Sequence, residues 1–295
     1  MVPLVKKTKA KPVVYITADI SPAGLMKAYK ALGVAPKGNV AVKITTGEPP
    51  NSNYLRPELI KGVVQEVSGT LVESNTAYAG SRASVAMHLK VAEEHGYTGI
   101  AEVDILDAEG SLSIPVKRGV RLKENFVGSH LPKYDYCLVL SHFKGHQMAG
   151  FGGAIKNISI GIASAEGKSW IHSAGKSKTG FSGDQDEFLE SMAEAALSVV
   201  ESLKGNVSYI NVMNRLSIDC DCNGNPDEPD MHDIGILASL DPVALDQACV
   251  DLVYAAPDGK SLIARMESLN GSHVLKHGDS IGLGSKNYEL VRLDG

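Results

Sequence analysis

His142 and His146 stand four residues apart in a stretch, 141–157, that also holds Lys144, Lys156, Asn157 and a run of glycines including Gly152 and Gly153. Imidazole offers metal ligation or proton transfer, and ammonium groups hold anions. Glycine lets backbone approach a ligand closely. A four-residue spacing puts both rings on one face whether the chain is helical or extended. The pair lacks the glutamate of the zinc-protease helix, so two chemistries stay open. One is a metal held by imidazoles. The other is a small anion or phosphate held by Lys144, Lys156 and backbone N–H groups. His172 follows in a stretch after Gly167 and Lys168 that reads as loop, and it gains meaning if the fold brings it to the first two. His142, His146, Lys144 and His172 are the catalytic candidates. Gly152, Gly153, Lys156 and Asn157 are binding candidates.

A second constellation runs over residues 219–232 and admits three readings. Asp219, Asp221, Asn223, Gly224, Asp227 and Asp230 follow the start of a calcium-loop pattern, but the twelfth position is Asp and the flank reads as strand. Cys220 and Cys222 with His232 nearby instead offer thiolates and imidazole suited to iron or zinc. The third reading is a plain acidic loop. Flanking carboxylates raise a thiol's pKa, so without a metal Cys220 and Cys222 are expected to be poor nucleophiles. The metal candidates are His142, His146, His172, Cys220 and Cys222. Cys137 and Cys249 read as small core residues.

The elements that must position these groups alternate. Strands are expected over 12–17, 39–44, 70–73, 136–140, 207–212 and 234–239, with helices after Ser21-Pro22, Pro57, Ala83 and Asp241-Pro242. Asp184 caps a further helix, with Glu187 completing a capping box, and Phe188, Leu189, Met192, Ala195, Ala196, Val199 and Leu203 form its buried stripe. Short strands at 113–116 and 118–122 read as an antiparallel insertion. This rhythm predicts a single α/β domain over 12–295, a mostly parallel sheet flanked by helices. The loops after the second and third strands carry Glu48, Arg56, Glu73, Asn75 and Arg82. In a parallel sheet they leave at the same edge as the histidine stretch, where ligands bind.

Composition narrows the class. The chain has 295 residues, a net charge of −5 and only 5% aromatic residues, which gives no case for nucleic acid. No apolar run is long enough to cross a membrane, and no secretory signal is recognisable, so a cytoplasmic location is the expectation. The basic run from Lys6 to Lys11 is expected to be a flexible arm spanning residues 1–11.

Several of these segments together resemble one family. Thr46-Gly47-Glu48, residues 54–57, residues 75–82, the stretch 140–157, Lys168 with His172-Ser173, residues 219–222 and residues 233–244 are similar, in order, to the domain of unknown function 362 family. Many of its members are labelled uncharacterised iron–sulfur-centre proteins, because they carry an inserted ferredoxin-like module after the segment matching His172-Ser173. Here that place holds residues 174–180 without cysteine, so no ferredoxin-type cluster of its own is expected. The resemblance implies a shared core site and leaves the reaction open. Because relatives carry electron-transfer modules, it leans towards oxidoreductase chemistry with an electron-transfer protein as partner. The leading expectation is a metal- or cofactor-dependent enzyme acting on a small anionic substrate. The alternatives are a carrier or assembly protein, which would have a shallow exposed site, and a calcium-stabilised structural domain.

Overall fold

The computed structural model describes residues 10–294. The arm expected at residues 1–11 lies outside the described residues except for Ala10 and Lys11. The chain runs β1 (Val13–Thr17), α1 (Pro22–Ala31), β2 (Val40–Lys43), α2 (Pro57–Glu66), β3 (Thr70–Glu73), α3 (Val85–Glu94), β4 (Val103–Ile105), β5 (Ser111–Pro115) and β6 (Glu124–Gly128). It continues with β7 (Tyr136–His142), β8 (Lys144–His146), β9 (Gly150–Gly152), α4 (Ala154–Ser159), α5 (Ala165–His172), α6 (Gln185–Ser202) and β10 (Val207–Met213). It closes with β11 (Gly235–Ser239), α7 (Pro242–Ala255), α8 (Lys260–Ser268), α9 (His273–Ile281) and β12 (Glu289–Arg292).

Eight strands form one sheet in the order β12-β1-β11-β10-β7-β2-β3-β4. Only β11 runs against its neighbours β1 and β10. Because β4, β3, β2, β7 and β10 are parallel, the loops after β2, β3, β7 and β10 all leave at one edge. Side chains alternate across the sheet. Val40, Val42, Leu138, Leu140, Ile210 and Val212 pack under α1 and α2. Ala41, Cys137, Val139 and Tyr209 pack under the layer from α4 to α9. Ser21 caps α1 by accepting from Gly24 N at 3.1 Å, and Asp241 caps α7 by accepting from Val243 N and Ala244 N at 2.9 Å. No described helix is long and apolar enough to cross a membrane.

The structure departs from the sequence reading at four places. The antiparallel partner of β5 is β6, and residues 118–122 are a turn. Buried Glu194 of α6 causes this by drawing in the N–H groups of Val120, Arg121 and Leu122 at 2.7, 3.0 and 2.8 Å. The capping box at Asp184 is half made. Asp184 accepts from Asp186 N and Glu187 N, but the Glu187 carboxylate pairs with Arg121 and Lys176 instead of reaching back. The glycine-rich stretch is not an open loop, since β8 and β9 fold it into a hairpin with Lys144 opposite Gly152. His172 ends a helix rather than sitting in a loop, because Ser164 caps α5 by accepting from Gly167 N at 3.2 Å.

Glu194→Gln is expected to lose about 1.5–3 kcal/mol in urea unfolding at pH 7, the scale of hydrogen bonds to a charged group. Burial opposes ionisation there, but His277 and the three N–H donors outweigh it and hold the carboxyl below its usual value. That contribution is therefore present above about pH 4.3 and fades as pH falls through the folded-state value, so the gap between variant and wild type should narrow in acid. An unchanged unfolding midpoint at pH 7 would show that the clamp does nothing.

Candidate functional site

At the shared strand edge lies a cavity of about 470 Å³. Its wall includes Glu48, Glu73, Tyr78, Arg82, Ser141, His142, Lys144, His146, Gly152, Gly153, Lys156, Asn157, Lys168, His172, Phe181 and Cys222. The sequence candidates therefore converge, with three exceptions. Arg56 lies outside the wall, its guanidinium 4.5 Å from the Tyr54 ring and bonded to Ser52 O. Asn75 is buried behind it, facing Asp107 and His88. Cys220 sits beneath the wall, covered by Cys222, with the two sulfurs 2.6 Å apart.

A buried carboxylate sets this geometry. Asp221 takes His142 Nδ1 at 2.8 Å and Lys144 Nζ at 2.7 Å. This pins the loop after β10 to the end of β7 and the start of β8. Burial pushes the Asp221 carboxyl up, yet His142 and Lys144 more than offset it and hold it at about 2. The same loop is held from the other side. Glu48 N donates to Asp221 O at 2.7 Å, Asn51 Nδ2 to Asn223 O at 2.7 Å, and Tyr78 Oη to Cys222 O at 3.3 Å.

Two metal candidates are engaged elsewhere. Both ring nitrogens of His142 have partners, Nδ1 facing Asp221 at 2.8 Å and Nε2 facing Asn214 O at 2.6 Å. His172 lies outside the thiol cluster. Its Nδ1 donates to Lys168 O at 2.7 Å and its ring stacks on Phe188. Burial, reinforced by nearby His146, Lys156 and Lys168, pushes its pKa down to about 3 despite the carbonyl partner, so the ring is neutral at physiological pH. His146, Cys220 and Cys222 do gather, each with one ligand atom within 4.8 Å of the others, close enough to hold a metal ion. Two thiols suit a soft ion. His146 Nδ1 accepts from Met148 N and Ala149 N at 3.1 and 3.0 Å, so the ring carries its proton on Nε2. Ligation of a cation through Nε2 would require that proton to move to Nδ1, and Nδ1 to turn away from its two backbone donors.

The calcium-loop reading fails on charge. Asp219 is occupied by Arg265 and Gln147, both at 3.2 Å, and Asp221 by His142 and Lys144. His232 also stands apart, bonded to Asp258. The carboxylates on which the expectation of poor nucleophiles rested are already paired, and the two thiols differ. Cys220 Sγ instead faces donors: the Cys222 thiol, Cys222 N at 3.3 Å and Lys156 Nζ at 3.6 Å. Donation from Cys222 first, then, against burial, Lys156 and His146, pulls the Cys220 thiol well below its usual value. Cys222 is pushed up correspondingly by its role as donor and by burial.

Charges around the cavity divide into two kinds. Arg82 is spent on Glu48 at 3.0 Å and Glu73 at 3.2 Å, so Glu48 and Arg82 brace the wall rather than stand free. Lys156 and Lys168 make no carboxylate pair among the described residues. Lys168 Nζ donates to Ala163 O at 2.6 Å, and burial brings its pKa down to about 8. Sequence reasoning left out Lys43 and Asp246 as functional side chains and read Asp221 only as part of a calcium-loop pattern or an acidic loop. The signal available was a charged residue inside an apolar run, as for Lys43 in β2 and Asp246 in α7. Asp246 accepts from Ala154 N and Ile155 N at 2.8 and 2.9 Å, which fills the start of α4. Gly153 therefore answers to packing, since a Cβ there would strike the Asp246 carboxylate. A Cβ on Gly152 would make only ordinary van der Waals contacts, 3.6 Å from Lys156 Cδ and 3.9 Å from Lys144 Cε.

The sequence profile of the domain of unknown function DUF362 matches residues 40–251, and the chain belongs to that family. No curated protein matches the sequence. The lactate racemase apoprotein from Thermoanaerobacterium thermosaccharolyticum is similar in structure, with a TM-score of 0.50 at 13% identity over 82% of this chain and 56% of that one. A Thermotoga maritima protein from a structural genomics programme gives a TM-score of 0.45 at 14% identity over 78% of this chain and 57% of its own. The chain thus spans little more than half the length of either. At such identity the likeness to the racemase apoprotein is one of fold.

Gly153→Ala is expected to lose about 1–3 kcal/mol in denaturant unfolding, as overpacking does, whereas Gly152→Ala should stay near wild type. Equal losses would show that Asp246 is not the constraint. In imidazole NMR, His172 should show no titration between pH 5 and 8, and a midpoint in that range would contradict its burial.

Proposed function

We propose that this DUF362 protein is an enzyme that transforms a small anionic substrate with the help of a soft metal ion, iron or zinc, or a metal-centred cofactor. The observation that carries this reading is the meeting of sulfur donors and carboxylate-free ammonium groups around one cavity. A cavity of about 470 Å³ is in the range of small-molecule sites. A carrier that hands its cargo to a partner would be expected to expose it on a shallow face, so a cavity gathering several polar loops favours catalysis.

Each group then has a role. Cys220, Cys222 and His146 would hold the metal, which would supply Lewis-acid or one-electron chemistry. Lys156 and Lys168 bind the anion by charge-assisted hydrogen bonds. The start of α4 adds nothing to anion binding, because Asp246 occupies its N–H groups. His172, neutral and donating through Nδ1, keeps Nε2 as an acceptor that can orient a substrate N–H or O–H by a hydrogen bond, its low pKa making it a poor base. His142 and Lys144 act through Asp221, by fixing the cysteine loop. Cys137 and Cys249 are sealed in the core, and the two cysteines left are too few for a ferredoxin-type cluster of four thiolates. A redox reaction here would take its electrons from a partner protein.

Metal analysis of protein purified without oxygen tests this. Wild type should carry stoichiometric iron or zinc, and Cys222→Ser or His146→Ala should lose it while remaining folded. Lys168→Met should weaken binding of inorganic phosphate or a small carboxylate by about 10-fold, the worth of one charge-assisted hydrogen bond. Calcium alone, or no metal together with unaltered anion binding in the lysine variant, would overturn the proposal.

A further inference from the structure

The Cys220–Cys222 pair has a second capacity that goes beyond the metal reading. Cys222 lines the cavity and Cys220 lies directly behind it, 1% exposed, with their sulfurs in contact. Lys156 Nζ at 3.6 Å and Cys222 N at 3.3 Å hold Cys220 Sγ in this position. The neighbouring carboxylates are turned away from the pair, Asp219 to Arg265 and Asp221 to His142 and Lys144. The chain's other two cysteines are fully buried in the core. We propose that Cys220 and Cys222 form a dithiol–disulfide redox centre that reacts with small disulfides entering the cavity, with Cys222 attacking and Cys220 resolving.

The chemistry balances with a low-molecular-weight disulfide, RSSR, as oxidant. Cys222 gives its thiol proton to solvent and attacks one sulfur of RSSR. The S–S bond breaks, RS⁻ leaves, and a mixed disulfide stands on Cys222. Cys220 then gives up its proton to the second leaving sulfur and attacks Cys222, releasing RSH. The protein has lost two electrons and gained an internal disulfide, while RSSR has become two thiols. The order follows from access, since a reagent in the cavity meets Cys222 and cannot reach Cys220. Disulfide and metal are alternative states of the same sulfurs, so oxidation would also empty the metal site.

The test uses hydroxyethyl disulfide, small and uncharged, on the full-length protein, before and after a chelator so that bound metal cannot hide the thiols. Intact-mass measurement should show wild type losing two hydrogens without an adduct, and peptide mapping should place the bond between Cys220 and Cys222. Cys220→Ser should retain one hydroxyethylthio group on Cys222. Cys222→Ser should stay unmodified, provided its thermal melt shows it folded. If wild type keeps all four thiols free, the redox centre is refuted. An adduct on Cys222→Ser, or none on Cys220→Ser, overturns the assigned order. After the chelator none of these outcomes depends on metal content, so protein that is reduced and metal-free as purified without oxygen, yet forms the disulfide, would refute only the metal reading.

Discussion

Asp221 is a carboxylate sealed from solvent between an imidazole and an ammonium group, and the site is organised around that contact. Isolating a carboxylate costs several kcal/mol unless it is paired and hydrogen-bonded. Here both oxygens are taken, one by His142 and one by Lys144. The pairing fixes the segment between β10 and β11 against the end of β7, which gives the two flanking cysteines a defined position. It also frees them from the repulsion that a neighbouring carboxylate would impose. A structural ion pair thus decides the chemistry of residues one step away along the chain.

A similar division of labour runs around the rest of the cavity. Arg82 is shared between Glu48 and Glu73, and Thr46 and His88 complete the bonding of Glu73. That network ties together the loops after β2 and β3 and leaves Arg82 unavailable to an anionic ligand. Another part of the lining is different in kind. Lys156 and Lys168 line the cavity without carboxylate partners among the described residues, and fully buried Lys43, outside the lining, donates to Ile44 O and to Asn157 Oδ1. Burial pulls Lys43 down to about 7, with Lys156 and Lys168 adding to the effect against Glu73. Positive charge gathered beside a cavity is relieved by an anion, which is the physical reason for the anionic substrate proposed above.

The α4 segment shows how a motif can mislead. A glycine pair followed by a helix looks like a phosphate cradle, because helix N-termini attract anions. In this protein the anion is already present as Asp246, held also by Asn211 Nδ2 at 2.7 Å. Burial raises the Asp246 carboxyl to about 6 even against those donors. The contact joins α4 to α7 and β10, so the glycine-rich turn belongs to the framework of the site more than to its binding surface.

Sequence alone determined the alternation of strands and helices, the caps at Ser21, Asp184 and Asp241, and the edge at which the polar loops collect. These follow from local periodicity and from the rule that parallel strands return by crossovers, which need no knowledge of distant partners. It also singled out the histidine–lysine stretch and the Cys-x-Cys pair, because such residue types are costly to bury without a reason. What only the tertiary structure decided was which of them are free to act. His142 and His146 are equivalent by spacing, yet one is locked between Asp221 and Asn214 and the other faces the thiols. Cys220 sits between two acidic residues in the chain but beside Lys156 in space, which reverses the sign of its surroundings. Electrostatic character is a sum over neighbours from β7, α4 and the loop after β10, separated by tens of residues, and no local pattern carries that sum.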